Sequence, residues 1–230
     1  MLNGVRAGRF VPGDALRRMS VCFSVPGLII MLQFHSSGIP LEIAAILLAA
    51  GAGSRFGGDK LLHPWHDGAP IGAHAARNLI AAGLDVIAVV KAGDMRLAEA
   101  LAKEGCAVSL FADAALGMGA SLAHGVAQRP AADGWIVALG DMPAIRSETI
   151  ATIARELAAG AALVAPLYQG KRGHPVGIGR RFGAQLVALT GDAGARDIIA
   201  AHRGDMKLIE CGDPGVLQDI DTRADAARGV

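Results

Sequence analysis

Aromatic side chains are scarce in this 230-residue chain: two Trp, one Tyr and six Phe, 4% of the total. A core built with so few must be packed by aliphatic residues. Hydrophobic residues still make up 52%, the bulk of them Ala, Val, Ile and Leu. That mix suits Ala-rich helices lying close on aliphatic strands. Cysteine is sparse too. Cys22, Cys106 and Cys211 stand far apart with no C-x-x-C pair, which argues against a disulfide framework or a zinc site and fits a reducing cytoplasm. Charge of one sign is also missing: 22 Lys and Arg against 21 Asp and Glu leave a net +1. Without a basic stripe or a block of like charge, no nucleic-acid surface is expected. No apolar run reaches the length of a membrane span. The residue in excess is glycine, with 31 copies, more than turns alone require. Several loops are therefore expected to bring backbone close to a ligand.

The first forty residues read differently from the rest. Arg17 and Arg18 precede residues 21–32, VCFSVPGLIIML, a pattern that superficially resembles a signal peptide. Pro26 and Gly27 interrupt the apolar run, and no small-x-small cleavage site precedes the globular pattern. The expectation for residues 1–40 is a poorly ordered extension, or a start assigned too early with Met31 as the true beginning. Residues 41–230 are expected to form a single domain.

From residue 43 onward, short aliphatic runs alternate with amphipathic stretches. Residues 43–49, 85–90, 107–111, 135–139, 162–166 and 207–210 read as strands. Most are nearly continuous apolar runs, as strands covered on both faces should be. Helices are expected over 70–82, over 119–128, after a capping Asp94 with Leu97 and Leu101 on one face, and from Ser147 with Ile150, Ile153 and Leu157 aligned. This alternation predicts a three-layer α/β fold with a doubly wound, mostly parallel, Rossmann-like sheet. Ligands of such sheets sit outside the carboxyl ends of the strands, where the strand order switches.

Residues 43–60 read as a buried strand running into a glycine-rich loop, LAAGAGSRFGGDK over 48–60. Small residues let backbone N–H groups turn toward an anion, and Arg55 and Lys60 add the cations a triphosphate needs. The dinucleotide fingerprint G-x-G-x-x-G matches at Gly51 and Gly53, but Phe56 takes the third position and no acidic residue ends the next strand. The Walker pattern needs Gly-Lys-Ser/Thr where this chain has Asp59-Lys60-Leu61-Leu62. Both fail. The pattern A-A-G-x-G-x-R-x-G-x-x-K-L fits instead, and it is similar to the opening of the nucleotidyltransferases that act on molybdopterin and sugar phosphates.

A second signature follows residues 135–139: Gly140-Asp141-Met142-Pro143. A carboxylate at the carboxyl end of a buried strand suits magnesium in nucleotide enzymes, although an Asp in a turn also serves as an Asx-turn or a cap. Further along come Gly117-Met118-Gly119-Ala120-Ser121-Leu122, Arg172-Gly173-His174-Pro175-Val176, Gly191-Asp192-Ala193-Gly194-Ala195-Arg196 and Asp219-Ile220-Asp221-Thr222. With the loop and G-D-M-P, these segments resemble the molybdenum cofactor cytidylyltransferase family, close relatives of the guanylyltransferases. The resemblance covers residues 43 to about 225. It implies that CTP is the nucleotide, Mg2+ the cofactor and the phosphate of molybdopterin the acceptor. CMP is transferred and pyrophosphate released, and a molybdenum hydroxylase or its maturation chaperone is the associated partner. By the same resemblance, Leu48, Ala49, Ala50, Gly51, Gly53, Asp113 and Ser121 contact the nucleotide. Arg55 and Lys60 bind its phosphates and form the catalytic set with Asp141. Asp141 and Asp221, the latter in preference to Asp219, hold the metal, and His174, Arg172 and Arg196 meet the acceptor. The chain departs from the family pattern at Phe56, where Met is common, and at Arg223, where proline usually follows D-I-D-T. The bulky residues often found after His174-Pro175-Val176 are also missing.

Transfer from GTP, or to another acceptor, stays open at this stage. So does a noncatalytic nucleotide-binding partner in cofactor maturation, although Arg55, Lys60 and Asp141 together favour catalysis. His63 and His66, which flank Pro64-Trp65, read as a surface turn because no further ligand stands at suitable spacing.

Overall fold

The computed structural model describes residues 19–25, 28–34, 41–51, 53 and 55–228. The chain divides into two units, Met1–Pro40 and Leu41–Val230. In the first, β1 (Met19–Val25) and β2 (Leu28–Phe34) pair antiparallel, Val25 opposite Leu28 and Met19 opposite Phe34. The rest of the extension expected over 1–40 lies outside the described residues.

The second unit runs β3 (Ile43–Ala49), α1 (Ile71–Ala81), β4 (Asp85–Lys91), α2 (Met95–Lys103), β5 (Ala107–Phe111), α3 (Met118–Ala127) and β6 (Gly134–Leu139). It continues through α4 (Ser147–Ala158), β7 (Leu163–Tyr168), β8 (Lys171–Arg172), β9 (Val176–Gly179), α5 (Gly183–Val187), α6 (Arg196–Ala201), β10 (Met206–Glu210) and α7 (Arg223–Arg228). Eight strands make one sheet in the order β10-β7-β9-β6-β3-β4-β5, with β8 beside β7. The period-2 geometry of a strand divides its apolar residues between two faces. Ala45 and Leu47 of β3 pack with Leu79 of α1, Leu101 of α2 and Ile153 of α4. Ala44 and Ile46 pack with Leu122 of α3, Leu186 of α5 and Ile198 of α6. The result is the expected α/β/α sandwich, and Asp94 caps α2 by accepting from the Leu97 N–H at 3.3 Å.

The sheet differs from strict alternation at β9, which inserts antiparallel between β6 and β7. Its sequence, Val-Gly-Ile-Gly, is short and half glycine, too weak a pattern to register as a strand. Packing dictates one of those glycines: a Cβ on Gly177 would lie 2.8 Å from Leu157 Cδ1 and 2.9 Å from Ile153 Cγ2, both on α4.

The chain starts the sheet at β3, winds outward through β4 and β5, then crosses by α3 to β6 on the other side of β3. The order therefore switches between β3 and β6, and a crevice opens at their carboxyl ends. There the Gly140 N–H donates to the Leu48 carbonyl at 3.0 Å, so the two expected motifs leave the sheet side by side. Among the described residues, no helix is long and apolar enough to cross a membrane.

Candidate active site

A cleft of about 1240 Å³ opens at this edge. Leu48, Ala49, Ala50, Gly51 and Gly53 form one wall as the chain leaves β3. The loop turns at Gly53, whose φ of +57° is in the left-handed region, and its carbonyl accepts from the Phe56 N–H at 3.0 Å. Lys60, Asp141 and Ser121 also line the cleft. Ser121 is buried, and its hydroxyl donates to the Gly117 carbonyl at 3.2 Å inside α3.

The charged groups converge beside the loop. Lys60 Nζ donates to Asp141 Oδ2 at 2.7 Å and to Asp221 Oδ1 at 3.3 Å, while the Arg55 guanidinium pairs with Asp221 Oδ2. The Lys60 side chain is only 11% exposed, and that of Arg55 is 78% exposed. Burial pulls the Lys60 ammonium toward deprotonation, but the hydrogen bonds and attraction of Asp141 and then Asp221 outweigh it, so its pKa is raised above the ordinary 10.5. Lys60 is therefore a fixed cation at any physiological pH.

Several contacts hold these groups in place. Asn78 of α1 donates its amide to the Pro143 carbonyl at 2.8 Å, and the Ile220 N–H donates to the Asp141 carbonyl at 2.9 Å. Asp213, 2% exposed, accepts from the Arg146 N–H at 2.9 Å, the Thr149 hydroxyl at 2.8 Å and the Gly215 N–H at 3.0 Å. This ties the segment that delivers Asp221 to the start of α4. Phe56 is buried with Trp65, Ile71 and Ile220, and the Arg223 guanidinium lies over its ring at 5.3 Å. The two departures Phe56 and Arg223 thus meet in a cation–π contact.

Two carboxylates that share one ammonium within 3.3 Å present hard oxygens at one point, the donor chemistry of a divalent cation. Among the described residues, no group of three or more His, Cys, Asp or Glu is placed to hold a metal. Asp141 and Asp221 fit a cation whose remaining ligands come from substrate phosphate and water, as magnesium sites usually do.

The expected acceptor residues are less close. His174 follows β8, its N–H donates to the Val216 carbonyl at 2.9 Å, and its Nδ1 is buried without a partner. Burial first and Arg172 second lower its pKa below 6.5, while Asp141 and Asp219 oppose them. Arg172 is exposed on β8. Asp113 and Arg196 are exposed and do not line the cleft; Asp113 precedes a turn at Ala114–Leu116, and Arg196 begins α6. Of the residues sequence reasoning missed, Asp213 carried a visible signal in Asp-Pro-Gly, a turn signature. Asp192 lines the cleft from within the G-D-A-G-A-R segment.

The model of the MobA-like NTP transferase domain matches residues 45–206. The nicotine blue oxidoreductase of Paenarthrobacter nicotinovorans is 30% identical over 193 residues, 78% of this chain and 92% of that protein. The crystal structure of Rv0371c from Mycobacterium tuberculosis H37Rv is 27% identical with a TM-score of 0.72, covering 82% of this chain and 96% of that one. The same protein has been solved as a manganese complex, at 26% identity and a TM-score of 0.69, over 82% of this chain and 97% of that one. A nucleotidyl transferase from Methanothermobacter thermautotroptrophicus shares the fold at 23% identity and a TM-score of 0.70, over 81% of this chain and 95% of that one.

Proposed function

This chain belongs to the MobA-like NTP transferase family, and from that premise we propose that it transfers CMP from CTP to the phosphate of molybdopterin and releases pyrophosphate. The observation that carries the reading is the convergence of Arg55, Lys60, Asp141 and Asp221 beside the glycine loop. Backbone of Leu48, Ala49, Ala50, Gly51 and Gly53 borders the nucleotide, and Arg55 and Lys60 take its phosphates. Asp141 and Asp221 hold a divalent cation, magnesium or manganese, and the manganese complex of Rv0371c supports the class of metal without choosing between them. When bound, that cation supplies charge neutralisation along the triphosphate. The acceptor phosphate oxygen forms a bond to the α-phosphorus as the bridging P–O bond to the β-phosphate breaks, and the electron pair leaves on pyrophosphate. Phosphate is already ionised near neutral pH, so no strong general base is needed. Alignment and charge stabilisation carry the reaction. Lys60 keeps its proton and balances the negative charge that accumulates on the leaving group. None of His174, Arg172 and Arg196 lines the nucleotide cleft, so these three would meet a large acceptor beyond it.

Pyrophosphate release from CTP and molybdopterin tests this, with GTP competing at equal concentration. Release that GTP suppresses weakly is the expected result. Preferential use of GTP would make the chain a guanylyltransferase, and nucleotide binding without release would make it a noncatalytic partner in the maturation of a molybdenum hydroxylase. A second reading rests on one observation, the oxidoreductase name of the 30% identical relative. Consumption of NADH or NADPH without pyrophosphate release would favour it, although the dinucleotide fingerprint fails at Phe56.

A further inference from the structure

We propose that Asp192 is a specificity-determining residue of the nucleotide cleft, where its carboxylate accepts a hydrogen bond from the nucleoside, at a ribose hydroxyl or at the exocyclic amine of the base. This rests on reading the cleft as a nucleoside triphosphate site.

Two segments far apart in the chain build the position. The Gly119 N–H, in the first turn of α3, donates to the Gly191 carbonyl at 2.7 Å. A Cβ on Gly119 would lie 2.6 Å from the Thr190 carbonyl oxygen, and one on Gly117 would lie 2.2 Å from Asp192 Oδ1. Gly117 also has a φ of +107°, where side chains are strained. The glycines of Gly117-Met118-Gly119 are therefore required by the loop at 190–192, which settles onto the start of α3 with the Asp192 carboxylate over the Gly117 backbone. Any larger residue at 117 or 119 would lift that loop away.

The carboxylate so placed lines the cleft, and among the described residues it makes no side-chain hydrogen bond or ion pair. The other cleft carboxylates are engaged. Asp141 is held by Lys60, Asp94 accepts from the Leu97 N–H, and Asp59 faces Arg96 at 3.9 Å. A free carboxylate repels phosphate; the cations beside the glycine loop are Arg55 and Lys60, while Lys91 and Arg96 stand on the α2 side of the cleft. The cleft left over, walled by Leu48–Gly51 and the starts of α2 and α3, is where the nucleoside belongs. A carboxylate can only accept hydrogen bonds. It therefore selects the few donors a nucleoside carries, the ribose hydroxyls and the base amine, and leaving it unpaired in a filled cleft is costly.

The test measures binding of CTP, 2′-deoxy-CTP, 3′-deoxy-CTP and UTP, with magnesium, to the wild-type protein, Asp192→Ala and Asp192→Asn by calorimetry, beside thermal midpoints. Asp192→Ala should weaken CTP about tenfold or more, the scale of a hydrogen bond to a charged group. If a ribose hydroxyl is the donor, the loss disappears with the matching deoxynucleotide; if the base amine is, it disappears with UTP. Asp192→Asn keeps the shape over Gly117, so a selective loss there, at an unchanged midpoint, excludes a packing effect. Unchanged CTP affinity in both variants, or an equal loss for all four nucleotides, overturns the proposal. The readout is binding, so a wild type that binds CTP without releasing pyrophosphate would fail the proposed transfer and leave this inference standing. A wild type that binds no nucleotide removes both.

Discussion

Replacing Asp213 tests how much a buried carboxylate outside the cleft contributes to the stability of the fold around the site. Its two oxygens serve three donors at 2.8–3.0 Å: Oδ2 takes the Arg146 N–H and the Thr149 hydroxyl, and Oδ1 takes the Gly215 N–H. Asp213→Ala strands all three near a side chain that is 2% exposed. Hydrogen bonds to a charged group contribute about 1.5–3 kcal/mol each. The sum is reduced because removing the carboxylate also relieves its own burial cost, and the Arg146 guanidinium, 4.0 Å away and 61% exposed, is left in solvent. A net loss of about 3–4 kcal/mol is expected. In Asp213→Asn the remaining oxygen can keep Arg146 and Thr149, while the amide turns a donor toward the Gly215 N–H. One bond is lost, so the cost should be about half as large, near 1.5–2 kcal/mol. Urea unfolding of the three proteins gives both numbers by linear extrapolation. A loss below about 1 kcal/mol for Asp213→Ala would refute the reasoning, as would an Asn variant no better than the Ala variant.

Two further outcomes follow from the charged cluster and its surroundings. Asp141→Ala should lower turnover by roughly two to three orders of magnitude while the urea midpoint changes little, because Lys60 keeps Asp221 as a partner; near wild-type pyrophosphate release would remove Asp141 from the chemistry. Burial holds His174 below its ordinary 6.5, with Arg172 adding to the effect and Asp141 and Asp219 opposing it. Between the folded pKa and 6.5 the unfolded chain binds more protons, so this contribution to stability is complete above 6.5 and is lost as pH falls toward the folded value. Urea midpoints near pH 7.5 and about pH 5.5 should therefore differ more for the wild type than for His174→Gln, and equal differences would exclude the assignment.

Much of this molecule is legible from residue patterns. The central parallel strands β3, β4, β6 and β7 are nearly unbroken apolar runs because helices cover both faces, and both cations of the loop stand at a telling spacing. The short elements were not legible: β9 has four residues, and α5 and α6 have five and six, too few for a periodicity to emerge. The site was legible by residue type but not by partner. Lys60 meets carboxylates 81 and 161 residues away, and only the folded chain pairs them. Asp113 and Arg196 show the opposite limit. Each stands in a telling segment, yet a motif does not state which way a side chain points. In Gly191-Asp192-Ala193-Gly194-Ala195-Arg196, the loop is pinned at Gly191 to the start of α3, so the exposed Asp192 lines the cleft, whereas the equally exposed Arg196, on the first turn of α6, does not.

The pairing of Arg55 and Lys60 with Asp141 and Asp221 has a thermodynamic consequence. The resting cluster holds two positive and two negative groups, so it is internally neutral and offers an approaching triphosphate little net attraction. Under the proposed function, binding is an exchange of partners. Phosphate that draws Arg55 and Lys60 away leaves two carboxylates without a counter-charge, and these then attract a divalent cation more strongly. Nucleotide and metal are thereby linked ligands, each raising the affinity of the other by the same factor. The protein becomes a poor binder of either alone, and free nucleotide is not held unless it arrives with the ion that makes it reactive.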